Sequence, residues 1–312
     1  MSELQESKQA SVCALCVTYN HEKFIRKTLD GFVAQKTTYP FRVIVHDDAS
    51  TDSTPEIMRE YEAKYPDLFT MIYETENQFS KHNQTWQWMR ELVAPMIHEK
   101  YFMTCDGDDY WCDPEKVQLE VDFLENHPDY VLCVHDTMFV NFDGENVRRL
   151  NGSDKDHDLD MKDILMNWGH DFHSTSTCMK TEINFKRPNE FFMTVCDDWT
   201  LAIYAATLGK IHYIGRVMSC FRKGNPNSLT GKPDTRKPSE IKDFAKDTLD
   251  FLRNINEYTN RKYDTYFRKR IRSIESLGLL RQHKFLKALV KYPYYSAKHL
   301  AGDLLRKFNM MY

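Results

Sequence analysis

Polar and apolar residues follow two rhythms along the first half of this chain. Short, nearly continuous apolar runs, "SVCALCVTYN" (11–20), "FRVIVHDDAS" (41–50), "FTMIYETEN" (69–77) and "YFMTCDGDD" (101–109), each end in polar residues. Runs of that length read as strands. Between them lie segments with helical spacing. "EKFIRKTLDGFVAQ" (22–35) repeats apolar residues at Phe24, Ile25, Leu29, Phe32 and Val33. "DSTPEIMREYEAKYP" (52–66) opens with capping hydroxyls and Pro55, with Ser50, Thr51, Ser53 and Thr54 as candidate caps, and "NQTWQWMRELVAPMI" (83–97) is a third helix. Strand–helix alternation predicts an α/β fold, a mostly parallel, Rossmann-like sheet flanked by helices. Such sheets bind ligands at the carboxyl ends of their strands. The polar stretches "TYN", "HDDASTD" and "CDGDD" all fall there.

The second half is less regular. A helix over 113–130, a strand over 131–141, a polar loop over 142–160 and a short helix over 161–169 are expected in turn. A Ser/Thr-rich strand follows in "FHSTSTCMKTEI" (172–183), then a helix from "CDDWTLAIYAATLG" and a strand from "KIHYIGRVMSCFRKGNPNS". From about Lys242 to Asn309 the pattern is helical. The expected organisation is an α/β domain over residues 1–240 and a helical C-terminal extension over 241–312.

A chain of 312 residues can bury a full core. It has no apolar run of about 18 residues, and "MSELQESKQA" lacks the apolar stretch of a signal peptide, so a cytoplasmic protein is expected. The Cys13/Cys16 pair lies in a strand, where residues three apart face opposite ways, which argues against a zinc or redox pair. Charge is divided unevenly. From Arg261 to Tyr312 there are 13 Lys and Arg against 3 Asp and Glu, whereas the preceding 260 residues carry 29 against 43. Basic residues alternating with Tyr, Phe, Leu and Ile suit an anionic membrane surface, each cation contributing about 1 kcal/mol. A solvated helical cap or a homodimer contact would use the same pattern. Nucleic acid is not expected, because the cations are confined to the tail and no recognition module accompanies them.

Candidate chemistry clusters at the strand ends. Asp106 and Asp108, at i and i+2 after an apolar strand and followed by Asp109, suit a Mg²⁺ or Mn²⁺ ion that also holds substrate phosphates. An acidic turn capping the next helix is the plainer reading, and Asp113 alone would serve it. Asp48 suits a nucleobase imide or a ribose hydroxyl, with the neighbouring Ser and Thr hydroxyls serving as the helix cap. Asp197 and Asp198 open a helix, where the dipole favours anions; one of them would also suit a general base, with Trp199 stacked on a sugar face. His173 suits a sugar hydroxyl or a structural bond.

Taken together, "VTYNHEKFI", "VIVHDDASTDST", "MTCDGDDYWCDPEKVQ", "CDDW" and "FRKGNPNS" resemble, in order and spacing, the motifs of family-two glycosyltransferases of the GT-A fold, over about residues 11 to 230. The resemblance implies inverting transfer of a hexosyl or N-acetylhexosaminyl group from a nucleotide diphosphate donor, UDP by default, with a divalent metal. It implies that Thr18, Tyr19 and Asn20 line the nucleotide pocket and that Asp48 reads the base. Asp106 would lie near the ribose, the donor sugar or the metal, and Asp108 would hold the metal. Lys81, Asn83 and Arg222 would contact nucleotide or phosphate, Asp198 would be the base, and Asp197, Trp199 and His173 would face the acceptor. The family often places a His soon after the Arg of its "YR" loop; this chain has Gly224 there. The implied acceptor is a glycan, lipid-linked, in surface polysaccharide synthesis at the inner face of the cell membrane. A sugar nucleotidyltransferase would carry a Gly-rich loop after the first strand, and "VTYNHEKF" has no glycine. A non-catalytic sugar-nucleotide or glycan-binding protein would tend to have lost one of Asp106, Asp108 and Asp198.

Overall fold

The computed structural model describes residues 10–82, 87–167, 171–192, 197–225 and 238–309, with backbone alone for 238–244 and 302–309. The chain divides into two compact units, Met1–Pro233 and Asp234–Tyr312. Among the described residues no helix is long and apolar enough to cross a membrane.

The first unit is built on one ten-stranded sheet. Its strands are β1 (Val12–Thr18), β2 (Phe41–Asp47), β3 (Phe69–Tyr73), β4 (Tyr101–Asp106), β5 (Tyr110–Trp111), β6 (Tyr130–Val140), β7 (Asn146–Arg149), β8 (His157–Leu159), β9 (Cys178–Lys180) and β10 (Lys210–Arg222). The order is β3-β2-β1-β4-β9-β6-β10-β5, with β7 beside β6 and β8 beside β10. The first four strands are parallel, as their alternation with helices predicts. The sheet becomes mixed at β9, which runs antiparallel to both β4 and β6.

Helices α1 (Ile25–Val33), α2 (Thr54–Lys64), α3 (Gln78–Lys81), α4 (Gln87–Val93), α5 (Lys116–Asn126), α6 (Met161–Asn167), α7 (Thr181–Phe185) and α8 (Asp197–Leu208) connect these strands. β1 is buried almost throughout, as a central parallel strand should be. α1 buries Ile25, Leu29 and Phe32, one face at helical spacing, and Phe32 meets Trp111 edge-on at 4.7 Å. Each such side chain contributes about 1.5–3 kcal/mol by leaving water. Lys116 and Glu120 are both fully buried on α5 and paired at 2.5 Å, with the ammonium 4.6 Å from the Trp111 ring. Burial nonetheless raises the Glu120 carboxyl to about 7.

Two expectations change. "FHSTSTCMKTEI" is not one strand: a 3₁₀ turn at Ser174–Ser176, the three-residue β9 and α7 divide it. The hydroxyls close local bonds instead, Ser176 Oγ donating to His173 O at 2.7 Å and Thr177 Oγ1 to Ser174 O at 2.8 Å. The polar stretch 142–160 holds two short strands. Buried Asp136 gathers it, accepting from Asn151 N and Gly152 N at 3.0 Å and from Arg149 Nε at 2.6 Å.

The second unit comprises α9 (Pro238–Tyr258), α10 (Asp264–Arg281), α11 (Phe285–Lys291) and α12 (Pro293–Asn309). α10 packs against the other three. Ser276 and Ser296 meet at 2.9 Å in a buried α10–α12 contact.

Candidate active site

β4 ends at Asp106, level with Val17 on β1. The chain then turns tightly. Gly107 N donates to Val17 O at 2.8 Å and Asp109 N to Asp106 O at 3.0 Å. A Cβ at Gly107 would lie 2.6 Å from Thr18 Oγ1 and 2.9 Å from His21 Nδ1. Glycine therefore lets the two acidic residues on either side of it press against the end of β1. Gly107→Ala should destabilise the protein by about 2 kcal/mol, read as a lower midpoint in urea unfolding.

The three carboxylates of this turn divide their roles. Asp109 is buried; its Oδ1 accepts from Arg222 N at 2.8 Å and ties β10 to the turn. Asp108 Oδ2 accepts from Asn225 Nδ2 at 3.0 Å and lies 3.8 Å from His21 Nε2. Asp106 is exposed at the end of β4, with protein packed around its carboxyl. That enclosure, then the charges of Asp108 and Asp198, raise its carboxyl to about 7. Asp198 thus lies within electrostatic reach of the turn.

α8 sorts its two leading carboxylates. Asp197 Oδ1 is held at 2.5 Å by Arg187, whose guanidinium is buried and packs 4.0 Å from the Phe192 ring. Asp198 opens on the cleft. Burial first and Asp197 next raise its carboxyl to about 6, with Arg187 opposing. A small pocket of about 60 Å³ adjoins Asp198, edged by Thr104, Ser174, Thr177 and Asn184. Trp199 requires a correction. It is 2% exposed and its Nε1 donates to Ile164 O at 2.9 Å, so it does not stack on a ligand. One step along a helix turns a side chain by about 100°, which carries Trp199 into the core while Asp198 faces out.

The residues expected around the nucleotide gather at the ends of β1 and β2. Thr18 is buried, with Oγ1 3.2 Å from His21 Nδ1. Tyr19 is 42% exposed at the strand end. Asn20 adopts a positive φ of 54°, and its Oδ1 accepts from Thr51 N at 2.8 Å. Asp48 is buried and caps α3, Oδ1 accepting from Gln78 N at 2.6 Å and Oδ2 from Phe79 N at 3.1 Å. α2, by contrast, takes no cap from the hydroxyls of Ser53 or Thr54; Asp52 Oδ1 accepts from Thr54 N at 2.9 Å. Lys81 ends α3 in an exposed ion pair with Glu76. Asn83 lies outside the described residues.

Arg222 also departs from expectation. It is 4% exposed, and its donors reach Asp108 O at 3.0 Å, Phe142 O at 2.7 Å and Asn141 O at 3.2 Å. It props the acidic turn from behind instead of presenting its charge to a phosphate. His173 caps the 3₁₀ turn and stacks on Phe221 at 4.0 Å. Its Nδ1 lies 3.9 Å from Asp109 Oδ2, and burial lowers its pKa to about 3.

Two residues at the turn carried no role in the sequence reading. His21 directly follows "TYN", and the strand-end logic needed one more residue to include it. Asn225 follows Gly224, whose φ of +89° suits glycine. The loop that lacks the family's His therefore still delivers a polar side chain to Asp108, one residue later.

Among the described residues no group of three or more His, Cys, Asp or Glu is arranged to hold a metal ion. Asp106 and Asp108, two oxygen-donor carboxylates on one tight turn, fit a cation shared with substrate phosphates.

Comparison with known proteins bears on the same residues. The profile of "Glycosyl transferase family 2" matches residues 13–187, over half of the chain. The chain belongs to glycosyl transferase family 2. As a member of that family it is a glycosyltransferase. It is 32% identical over 207 residues to the uncharacterized protein Rv1520 of Mycobacterium tuberculosis, covering 66% of this chain and 57% of that one. The chain thus spans little more than half of that relative's length. Its fold is similar to that of S. aureus TarS 1–349 in complex with UDP-GlcNAc, with a TM-score of 0.59 and 16% identity over 88% of this chain and 73% of that one. It is also similar to the mannosyltransferase PcManGT from Pyrobaculum calidifontis in complex with GDP-Man and Mn²⁺, with a TM-score of 0.55 and 17% identity over 96% and 81%. At these identities the likeness shows a shared GT-A fold.

Proposed function

We propose that this glycosyltransferase moves a hexosyl or N-acetylhexosaminyl group, with inversion, from a nucleotide diphosphate donor to a hydroxyl of a glycan acceptor. The observation that carries the reading is that Asp198 lies near enough to Asp106 for its charge to act on that carboxyl, while Asp197 is already engaged by Arg187. An inverting displacement needs one base. Asp198 accepts the acceptor's hydroxyl proton as the oxygen bonds to the anomeric carbon. The bond from that carbon to the diphosphate oxygen breaks on the opposite face, and the nucleotide diphosphate leaves. Asp106 and Asp108 would hold a divalent cation, which when bound offsets negative charge on the diphosphate. Tyr19 and Asn20 form the nucleotide end, and buried Thr18 and Asp48 support it from beneath, the Asp48 carboxylate being taken by the first amides of α3.

The donor is a UDP-sugar in the first instance, and GDP-sugars are the next candidates, since the two structural neighbours hold one of each. The acceptor is lipid-linked, in surface polysaccharide synthesis. The second unit brings the enzyme to the anionic inner face of the membrane through its basic surface.

The test is a donor panel. UDP-, GDP-, dTDP- and CMP-sugars are offered with Mn²⁺ or Mg²⁺, and nucleotide release is followed. Release from one donor, abolished by EDTA and restored by the metal, is the expected result. Release unaffected by EDTA would remove the metal. Failure of every donor to be turned over or to shift thermal unfolding would overturn the transferase reading of the cleft.

A further inference from the structure

α11 turns its apolar side outward. It meets the rest of its unit through Ala288, which is fully buried, and the chain is anchored again at Tyr292, 8% exposed. Leu286 is 81% exposed and Val290 84%. At about 100° per residue these two point away from Ala288, directly off the body. Leu289, 40% exposed, flanks Leu286 on that side, Phe285, 44% exposed, lies nearer Ala288, and Tyr294 on α12 is 69% exposed. Single exposed apolar residues are ordinary; a contiguous set on one helix marks a contact surface. The residue turned inward is the smallest of the helix, so the large ones are not needed for folding.

The charge around this face identifies what covers it. Between Glu275 and Asp303 the sequence has no acidic residue, and it carries Arg281, Lys284, Lys287, Lys291 and Lys298. A second copy meeting it face to face would bring these cations together, which repels. An anionic bilayer attracts them and accepts the aliphatic side chains beneath its headgroups.

A groove of about 580 Å³ runs beside α11, lined by Arg268, Arg272, Glu275, Lys291, Tyr294 and Tyr295 among others. Its acid is already engaged: Glu275 accepts from Arg253 at 3.0 Å and from Tyr292 Oη. Arg268 is paired with Asp264 at 2.7 Å. Arg272 has no carboxylate partner among the described residues and is exposed.

We infer that α11 is the membrane-inserting element of this enzyme, burying Leu286 and Val290 between the lipids of an anionic membrane while Arg272 and Lys291 hold a lipid phosphate at the mouth of the groove. The inference rests on the membrane reading above and names the element responsible.

The experiment is flotation of the full-length enzyme with vesicles of equimolar phosphatidylglycerol and phosphatidylcholine, against phosphatidylcholine alone. The wild type binds the anionic vesicles. The double variant Leu286→Asp/Val290→Asp loses about tenfold in vesicle affinity, and Arg272→Gln/Lys291→Gln loses a few-fold on anionic vesicles only. Both variants release nucleotide in solution at the wild-type rate, which shows that they are folded. Leu286→Trp is quenched by brominated lipid, which reports insertion directly. If the wild type fails to float, membrane docking itself falls. If it floats and the double Asp variant floats equally, docking stands and the role of α11 is overturned. A double variant that changes elution volume from dimer to monomer, with flotation unaltered, makes the face a self-contact and also overturns it.

Discussion

Asp198→Asn should lower turnover by about a thousandfold while nucleotide affinity stays within about twofold. The amide cannot accept the hydroxyl proton, yet it is the same size as the carboxylate and leaves the donor end untouched. Asn keeps the opening of α8 intact because the bond from Arg187 is made to Asp197, not to Asp198. The pH profile of the wild type gives the second half of this result. Burial and Asp197 hold the Asp198 carboxyl at about 6. The base is ionised above that value and protonated below it, so kcat should rise with pH through about 6 and level off by pH 7–8. Residual activity of Asp198→Asn should lack this limb. A variant that loses activity and nucleotide binding together would place Asp198 at the donor instead.

Asp108→Asn should abolish metal-dependent donor binding, weakening affinity by about a hundredfold or more in Mn²⁺, without loss of stability in EDTA. Asp108 raises the carboxyls of both Asp106 and Asp109 by its charge. Removing that charge relieves a repulsion between three carboxylates on one turn, so the metal-free protein should unfold at the same temperature or higher. The bond from Asn225 survives, because an amide oxygen still accepts. Calorimetric titration with the nucleotide diphosphate and a thermal melt in EDTA read the two halves separately. A variant that binds nucleotide as tightly as wild type would remove Asp108 from the metal site.

How much of this was legible in the chain depends on how local each feature is. The central parallel strands β1, β2 and β4 announce themselves because a strand buried on both faces is a short apolar run, and each ends where polar residues begin. The place of the acidic turn after β4 was readable for the same reason. Trp199 misled because neighbours in sequence are not neighbours in direction on a helix. Arg222 misled because a charge beside a loop says nothing of the carbonyls of Asp108, Asn141 and Phe142 that surround it after folding. "FHSTST" has the composition of a strand, but Ser and Thr hydroxyls can close turns with their own backbone, and here they do. Asn225 and His21 reach Asp108 only when three separated segments converge. The outward face of α11 is likewise a tertiary fact, since a helical wheel shows an apolar side without showing which way it is turned.

The turns after β1 and β2 are laced together by reciprocal bonds. Asn20 N donates to Ser50 Oγ, His21 N to Thr54 Oγ1 and Glu22 N to Asp52 Oδ2. Thr51 N donates back to Asn20 Oδ1 and Ser53 N to Glu22 Oε2. Each loop thus completes the other's backbone, and a side chain changed in one leaves an amide without its acceptor in the other. Substitutions here are epistatic by construction. A pair of loops wired in this way is remodelled by exchanging both as one cassette, and residue-by-residue change along either of them meets a barrier at every step.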